Sequence, residues 1–245
     1  MKVFLAGTSV FSRYKDELYN IDYILESFYA VEEWQMPVIK NAKMFLLDSG
    51  AFTYMNSLKD SKINWDDYIE RYAEFINKNN IDYFFELDID SLVGLSEVER
   101  LRHKLETLTH KPAIPVWHKS RGIDYYKGMC RDYNYISIGG IVIHEIKKPD
   151  YGNFIPMLKY AKEHNCNVHG LGFTPTKELK KYPFFSVDST NWLSGGRFGT
   201  LQMFNGNYIE CRSFKTQNKK AIWKDINIHN LREWIKFQKY ADIYL

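Results

Sequence analysis

Metal-binding and disulfide spacings are missing from this sequence, and so are long apolar runs. The chain has three cysteines, Cys130, Cys166 and Cys211, and no pair of them stands in a CxxC or Cys/His arrangement. Structural zinc sites and disulfide frameworks need such spacings, and a few scattered cysteines suit a reducing compartment. No apolar stretch approaches the roughly 20 residues that cross a bilayer. We therefore expect a cytoplasmic protein with no metal, no cofactor and no membrane partner.

A large excess of charge of one sign is absent as well. The formal net charge is +3, and so weak a balance permits a nucleic-acid partner without arguing for one. The sequence shows no linker, internal repeat or low-complexity segment, so residues 1–245 predict one domain. The first apolar run, at 2–6, is too short for a signal peptide and predicts a strand instead.

Apolar side chains are plentiful, and their pattern predicts an α/β fold. Hydrophobic residues make up 45% of the chain and aromatic residues 16%, which is enough for a large core at this length. Short apolar runs predict strands at 2–6, 44–48, 82–88, 112–117, 134–138, 167–171 and 183–187. Amphipathic segments predict helices at 65–76, 94–108, 121–130, 152–164, 175–181 and 228–241.

The alternation of strands and helices indicates parallel strands that are joined by right-handed crossovers. A candidate eighth strand lies in 200–212, and eight strands favour a single (β/α)8 TIM barrel over an open sheet. The same segment also fits a small hairpin with Asn205 and Gly206 at its turn, so both interpretations stay open. A C-terminal helix follows this segment.

Acidic residues stand at the ends of three predicted strands. Asp188 and Asp48 each end an apolar run, and Asp88 with Asp90 ends a third. In a barrel the carboxyl ends of the strands meet at one mouth, where such folds place their chemistry. We therefore expect a shared site. The alternatives are an Asx turn at Asp48 and a solvated rim at Asp88 and Asp90.

Two further strand ends carry candidate ligand contacts. Gly139 and Gly140, followed by Ile141, come directly after a predicted strand, where paired glycines let a ligand approach the backbone. An ordinary turn between a strand and a helix has the same pattern. His118 ends another predicted strand, and an isolated histidine at such a place is either structural or a ligand contact.

Several segments, in order, resemble the motifs of one enzyme family. They match its Asp-Ser-Gly-Gly-Phe turn, its base-reading strand end, its Gly-Gly-Leu loop, its Gly-x-Gly-x-Pro lead-in, and its nucleophilic Asp with a downstream Arg-x-Gly-x-Leu. The matching residues are 47–52, 86–88, 138–141 with Glu145, 170–175, and Asp188 with 197–201. On these residues the chain is similar to the tRNA-guanine transglycosylases, above all to the short phage and prophage DNA 7-deazaguanine transglycosylase-like proteins.

The resemblance implies a TIM barrel and a role for the matching residues. Asp188 would be the nucleophile, and Asp48 would carry a proton to or from the base. Asp88, or Asp90 in its place, would accept hydrogen bonds from the base. Arg197 would hold a phosphate, although a plain surface charge is the alternative. The remaining base contacts fall on Phe52, His118, Gly139, Gly140 and Ile141.

The chain departs from the family at positions that bear on the substrate. Ala51 replaces the second glycine of the turn, 116–118 reads Val-Trp-His where the family has Val-Gln-Gly, and Ser194 stands where it has an arginine. Family members that act on tRNA carry a zinc subdomain with three cysteines. Only Cys211 follows Asp188 here, so the resemblance favours DNA over tRNA.

On this basis we expect exchange of guanine for a 7-deazaguanine base in nucleic acid, through a covalent aspartate intermediate. The target nucleotide would be single-stranded or flipped out of the stack, and a homodimer is compatible with the family. One alternative is an N-glycosidase or base-exchange enzyme that acts on nucleosides or nucleotides. The other is a catalytically silent barrel that binds nucleic acid.

Overall fold

Seven parallel strands form a curled sheet that is flanked by helices, as the α/β class predicts. The computed structural model describes residues 1–51, 53–54, 63–195, 199–213 and 219–245. The strands are β1 (Lys2–Ala6), β2 (Tyr23–Ser27), β3 (Met44–Asp48), β4 (Val116–Trp117), β5 (Tyr135–Ile138), β6 (Asn167–Gly170) and β7 (Ser186–Ser189). They lie in the order β3-β2-β1-β7-β6-β5-β4.

The α-helices of the described residues lie between and after these strands. They are α1 (Lys15–Leu18), α2 (Met36–Asn41), α3 (Trp65–Asn79), α4 (Asp90–Val93), α5 (Leu95–Thr109), α6 (Gly122–Asp132), α7 (Phe154–Glu163) and α8 (Lys219–Tyr244). Five predicted helices are confirmed. The sixth, at 175–181, is wrong, because only a short 3-10 helix at Leu179–Lys181 forms there.

Helix α3 shows how local sequence sets the element boundaries. The Asn64 side chain accepts hydrogen bonds from the backbone N–H groups of Asp66 at 3.1 Å and of Asp67 at 3.4 Å, so Asn64 caps the helix. Such a cap satisfies donors that the first turn leaves free. The helix ends at Asn79, and the next residue, Asn80, has a left-handed φ of 51°, a conformation that asparagine tolerates.

Strand β2 is not predicted by the apolar pattern, because Glu26 interrupts it. Glu26 is nevertheless buried, and its carboxylate accepts hydrogen bonds from the Thr8 hydroxyl at 2.6 Å and from the backbone N–H groups of Thr8 and Ser9. These donors compensate for the water that the carboxylate loses. Burial still raises the pKa of Glu26.

Residues 200–212 form a hairpin, so their interpretation as an eighth parallel strand is wrong. β8 (Thr200–Phe204) pairs antiparallel with β9 (Ile209–Ser213) in a separate two-stranded sheet. Gly206 lies in the turn with a φ of 96°, which glycine adopts without strain. The alternative interpretation of this segment, a hairpin centred on Asn205 and Gly206, is confirmed.

The predicted strand at 82–88 is reduced to isolated parallel bridges. Leu47 pairs with Phe84, and Phe85 pairs with Ile114. The Phe85 N–H donates to the Leu47 carbonyl at 2.9 Å, and the Glu86 N–H donates to the Ile114 carbonyl at 3.0 Å. Residues 84–85 therefore connect β3 with the residues that lead into β4. Strands β3 and β4 are the two edge strands of the sheet.

Alternate side chains of the strands fill the inner face of the curled sheet. The buried members of this cluster are Phe4, Ala6, Tyr23, Leu25, Leu46, Phe85, Ile114 and Val116. Because the strands are parallel, their carboxyl ends lie at one edge. Phe4 is paired with Asp188, and Ser27 with Asp48, so two predicted site acids stand at that edge.

The last helix, α8, is fastened to the first two strands by one buried amide. Gln238 donates to the carbonyls of Val3 at 2.7 Å and Tyr23 at 2.9 Å, and it accepts from the Asp22 N–H at 2.8 Å. The predicted C-terminal helix is thus confirmed, and it is longer than expected. None of the described helices has the length and apolar character that crossing a membrane requires.

Replacing Gln238 with leucine should lower the free energy of unfolding by about 3 kcal/mol, since two buried carbonyls and one N–H lose their partner. Equilibrium unfolding in urea measures the change. Lys239→Ala, at the next and exposed position, is the control and should change stability by less than about 0.5 kcal/mol. A loss at Gln238 as small as that of the control would contradict its role as a fastener.

Candidate active site

Three of the predicted acids meet at the carboxyl edge of the sheet. Asp48 ends β3, Asp188 lies in β7, and Asp88 follows the bridged residues 84–85. The charges of Asp88 and Asp188 both act on Asp48, so the three carboxylates lie within electrostatic reach of one another. The structure therefore brings together residues that are 40 and 100 positions apart in the sequence.

Asp48 is the acid whose ionisation is most strongly altered. Burial raises the pKa of Asp48 to about 7, and the charges of Asp88 and Asp188 add to the rise. The backbone N–H groups of Gly50 and Ser49 oppose it, because they stabilise the carboxylate. Asp48 keeps part of its surface accessible. A carboxyl group that titrates near neutral pH can give a proton in one step and take one in the next.

Asp188 is buried, and two donors hold one of its oxygens. Oδ1 accepts a hydrogen bond from the Gly172 N–H at 2.5 Å and lies 3.2 Å from Nε2 of His169. Donors of this kind stabilise the ionised carboxylate and fix its orientation. His169 was not among the predicted site residues. A histidine between Val168 and Gly170, inside the predicted strand at 167–171, is the signal that could have pointed to it.

His118 lies between two carboxylates. Its Nε2 is 2.6 Å from Oδ1 of Asp88, and its Nδ1 is 2.8 Å from Oε2 of Glu145. Burial disfavours the charged ring, but hydrogen bonds to Asp88 and Glu145 and the charge of Asp90 outweigh burial and raise the pKa of His118 to about 9. At neutral pH His118 is therefore a cation that orients Asp88.

The paired glycines make room for Glu145. Gly140 has a φ of 79°, and a Cβ there would lie 2.6 Å from Oε2 of Glu145. A Cβ on Gly139 would lie 2.8 Å from Cγ1 of Val116 and 3.0 Å from Nε2 of His118. Ile141 is buried. The close approach of His118 and Glu145 thus requires both glycines, whether or not a ligand contacts their backbone.

Asp90 is engaged by an arginine. Arg121 donates through Nε to Asp90 at 2.9 Å and through Nη1 to the fully buried Glu86 at 2.9 Å, and Arg102 donates to the other oxygen of Glu86 at 2.8 Å. Burial would raise the pKa of Asp90, but Arg121 lowers it below its ordinary value. Of Asp88 and Asp90, it is Asp88 whose charge acts on Asp48. Arg121 escaped prediction because 35 residues separate it from Glu86.

Asp88, Asp90 and His118 are the one group of the described residues with metal-ligand spacing, since their ligand atoms lie within 4.8 Å of one another. Both nitrogens of His118 already face carboxylates, and Arg121 holds Asp90. A cation would have to displace these partners and sit beside a guanidinium. The donor set does not fit a resident metal.

Two predicted site residues, Phe52 and Arg197, lie outside the described residues, so their proposed contacts to base and phosphate stay predictions. Comparison with known proteins does not place the chain in a family. No protein-family model matches it, and no curated protein matches it significantly. The function must therefore be argued from the residues of this site.

The pKa of His118 leads to a prediction about stability. A folded pKa of about 9 against an unfolded value of 6.5 means that the folded protein binds the proton more tightly. The interactions of protonated His118 with Asp88 and Glu145 therefore stabilise the fold fully below pH 6.5. This stabilisation is lost as the pH rises through 9. Relative to His118→Gln, the unfolding free energy of the wild type should fall by up to about 3 kcal/mol across this range.

Urea unfolding of both proteins at intervals between pH 6 and 10 measures this difference. Groups other than residue 118 titrate in both proteins and largely cancel. A difference that stays constant from pH 6.5 to 9.5 would show that His118 is not held as a cation.

Proposed function

We propose that this chain is a transglycosylase that exchanges guanine for a 7-deazaguanine base in nucleic acid, with DNA favoured over tRNA. The observation that carries the proposal is the meeting of Asp48, Asp88 and Asp188, with the pKa of Asp48 raised to about 7. Exchange with retention at a sugar C1′ needs a carboxylate nucleophile and a second group that gives and takes a proton. These acids supply both.

We also propose that residues 84–85 act as the missing strand between β3 and β4. Their bridges to Leu47 and Ile114 support this, since such a strand would complete a (β/α)8 barrel with every strand in chain order. In that fold the catalytic groups come from the carboxyl ends of several strands. Asp48, Asp88 and Asp188 would then line one mouth.

In the first step of the proposed reaction, a carboxylate oxygen of Asp188 attacks C1′ of the target nucleotide. The C1′–N9 bond breaks, its electron pair goes to guanine, and protonated Asp48 gives the departing base a proton. The products are free guanine and a glycosyl ester of Asp188, with Asp48 now ionised.

In the second step the incoming base takes the place of guanine. Ionised Asp48 removes the proton from its N9, the nitrogen attacks C1′, and the ester bond to Asp188 breaks with its electrons returning to the carboxylate. Asp48 is protonated again at the end of the cycle. A pKa near 7 suits both halves, because either form is readily available at neutral pH.

Recognition of the base falls to Asp88 in this proposal. One oxygen of Asp88 is held by His118 at 2.6 Å, which orients the carboxylate so that its other oxygen accepts N–H groups from the amidine edge of guanine. Backbone groups of 139–141 and the side chain of Phe52 would complete the base site, as the resemblance to the family implies.

Exposed apolar side chains on the loops at the same edge support a polymeric substrate. Tyr29, which follows β2, is 46% exposed, and Val142 and Ile143, which follow β5, are 69% and 58% exposed. Such side chains suit packing against the unstacked bases that flank a flipped nucleotide. Arg197 would hold a phosphate there.

Replacement of Asp188 by asparagine should abolish exchange. Incorporation of labelled guanine into nucleic acid should fall by at least about 1,000-fold, because the covalent step loses its nucleophile, while binding of the free base persists. A denaturing gel should show a protein–nucleic acid adduct for the wild type and none for Asp188→Asn. Asp124→Asn, at a side chain that is 98% exposed, is the matched control and should behave as the wild type.

Nucleoside mass spectrometry of DNA and tRNA from cells that produce the wild type or Asp188→Asn identifies the polymer and the base. A 7-deazaguanine that appears in DNA with the wild type alone supports the proposal. Release of guanine without incorporation would identify an N-glycosidase, and base binding without any adduct would identify a silent binding protein.

The proton role of Asp48 predicts opposite pH dependences for the two half-reactions. Adduct formation needs protonated Asp48, so its single-turnover rate should fall as the pH rises through about 7. Resolution of the isolated adduct by the incoming base needs ionised Asp48, so its rate should fall as the pH drops through the same value. In Asp48→Asn both dependences should disappear. Half-reactions that respond alike between pH 6 and 8 would rule out a shuttle at Asp48.

A further inference from the structure

A line of polar groups runs along the inner face of the sheet and ends at Asp188. The Tyr135 hydroxyl of β5 lies 2.6 Å from Oγ of Ser186 in β7, and that oxygen lies 2.7 Å from Nδ1 of His169 in β6. Nε2 of His169 lies 3.2 Å from Oδ1 of Asp188. His169 and Ser186 are fully buried. Tyr135, Ser186 and His169 have no part in the proton transfers described above.

The surroundings of this line are apolar. The rings of Phe4 and Phe85 lie 5.9 Å and 5.4 Å from the imidazole of His169, measured between centroids. Polar groups in such a place are costly unless each is hydrogen-bonded. Every member of the line has a partner, so the contacts fix the position and orientation of the His169 ring.

One arrangement of hydrogens satisfies the whole line when Asp188 is ionised and the imidazole is neutral. Nε2–H of His169 donates to Asp188, which leaves Nδ1 as an acceptor for the Ser186 hydroxyl. Oγ of Ser186 then accepts a hydrogen bond from the Tyr135 hydroxyl. The tautomer is assigned from these partners, and all three donors point toward the carboxylate.

Ser186, His169 and Asp188 are the residue types of a Ser-His-Asp catalytic triad. Here, however, the aspartate and not the serine is accessible, which excludes the serine as a nucleophile. Ser186 is 0% exposed, and its oxygen already contacts Tyr135 and His169, so no substrate carbonyl can reach it. The side chain of Asp188 keeps 10% of its surface exposed. The reactive end of the line is the carboxylate.

We propose that His169 is a positioning residue for Asp188, an inference that rests on the nucleophilic role proposed above. His169 and the Gly172 N–H both engage Oδ1, and Oδ2 is the oxygen that attacks C1′. When the Oδ2–C1′ bond forms, Oδ1 becomes the carbonyl oxygen of the ester and keeps both donors. His169 holds its proton throughout the cycle, and Ser186 with Tyr135 fixes its tautomer.

Replacement of His169 by leucine tests the role by kinetics. The rate constant kcat for guanine exchange should fall roughly 10- to 100-fold, because the carboxylate loses its fixed orientation, while KM for the base stays within about twofold. Glutamine at this position should restore most of the activity, since its amide can donate to Asp188. Asn167→Ala, at an exposed position of the same strand, is the control.

The outcomes separate this inference from the proposed function. A wild type without any exchange refutes the transglycosylase itself. An active wild type whose His169→Leu variant keeps the same kcat refutes only the positioning role.

A second measurement tests the role of His169 even if the His169→Leu variant fails to fold. Nitrogen-15 NMR of the wild type at pH 7 should show His169 with its proton on Nε2, and Ser186→Ala should weaken that preference. The Nδ1–H tautomer in the wild type would overturn the proposal.

Discussion

The burial of several carboxylates at one edge of the sheet is the constraint on which the rest of this site depends. A carboxylate removed from water needs donors or a cation, and each acid here has a different solution. Glu86 is held by two arginines, Asp88 by His118, and Asp188 by an imidazole and an N–H group. Among the described contacts, Asp48 has backbone donors alone. Asp48, which lacks a side-chain donor among these contacts, is the acid whose pKa is raised to about 7.

The contacts of His118 bear on how the proposed function would select a base. His118 holds Asp88 from one side and is itself held by Glu145, whose second oxygen accepts the Ser120 N–H at 2.8 Å. The glycine pair at 139–140 lets Glu145 approach this closely. In the proposed function, Asp88 with one oxygen fixed would present the other at a defined angle, which is what discrimination between similar heterocycles requires.

The sequence predicts those strands and helices whose apolar residues follow a regular pattern. Acids that end apolar runs, such as Asp48 and Asp188, could be placed at the edge because parallel strands share a direction. Strand β2 could not be predicted, since Glu26 breaks the apolar pattern and its donors come from another segment. Likewise the sequence showed the glycines at 139–140 but not their reason, which is contact of Gly139 with Val116 and His118 and of Gly140 with Glu145. Long-range partners such as Arg121 and His169 appear only once the strands are side by side.

The hydrogen bonds between α8 and the first two strands have a consequence for how the protein folds during its synthesis. The hydrogen bonds of Gln238 connect groups that are between 215 and 235 residues apart, and β1 pairs with β7 across most of the chain. Contacts between such distant residues carry a high loop-closure cost and slow folding. During synthesis on the ribosome, β1 can pair with β2 at once, but β7 and Gln238 exist only when most of the polypeptide has been made. Until then the apolar side chains that pack with α8, such as Val3 and Leu5, stay uncovered, so we expect the nascent chain to need chaperones.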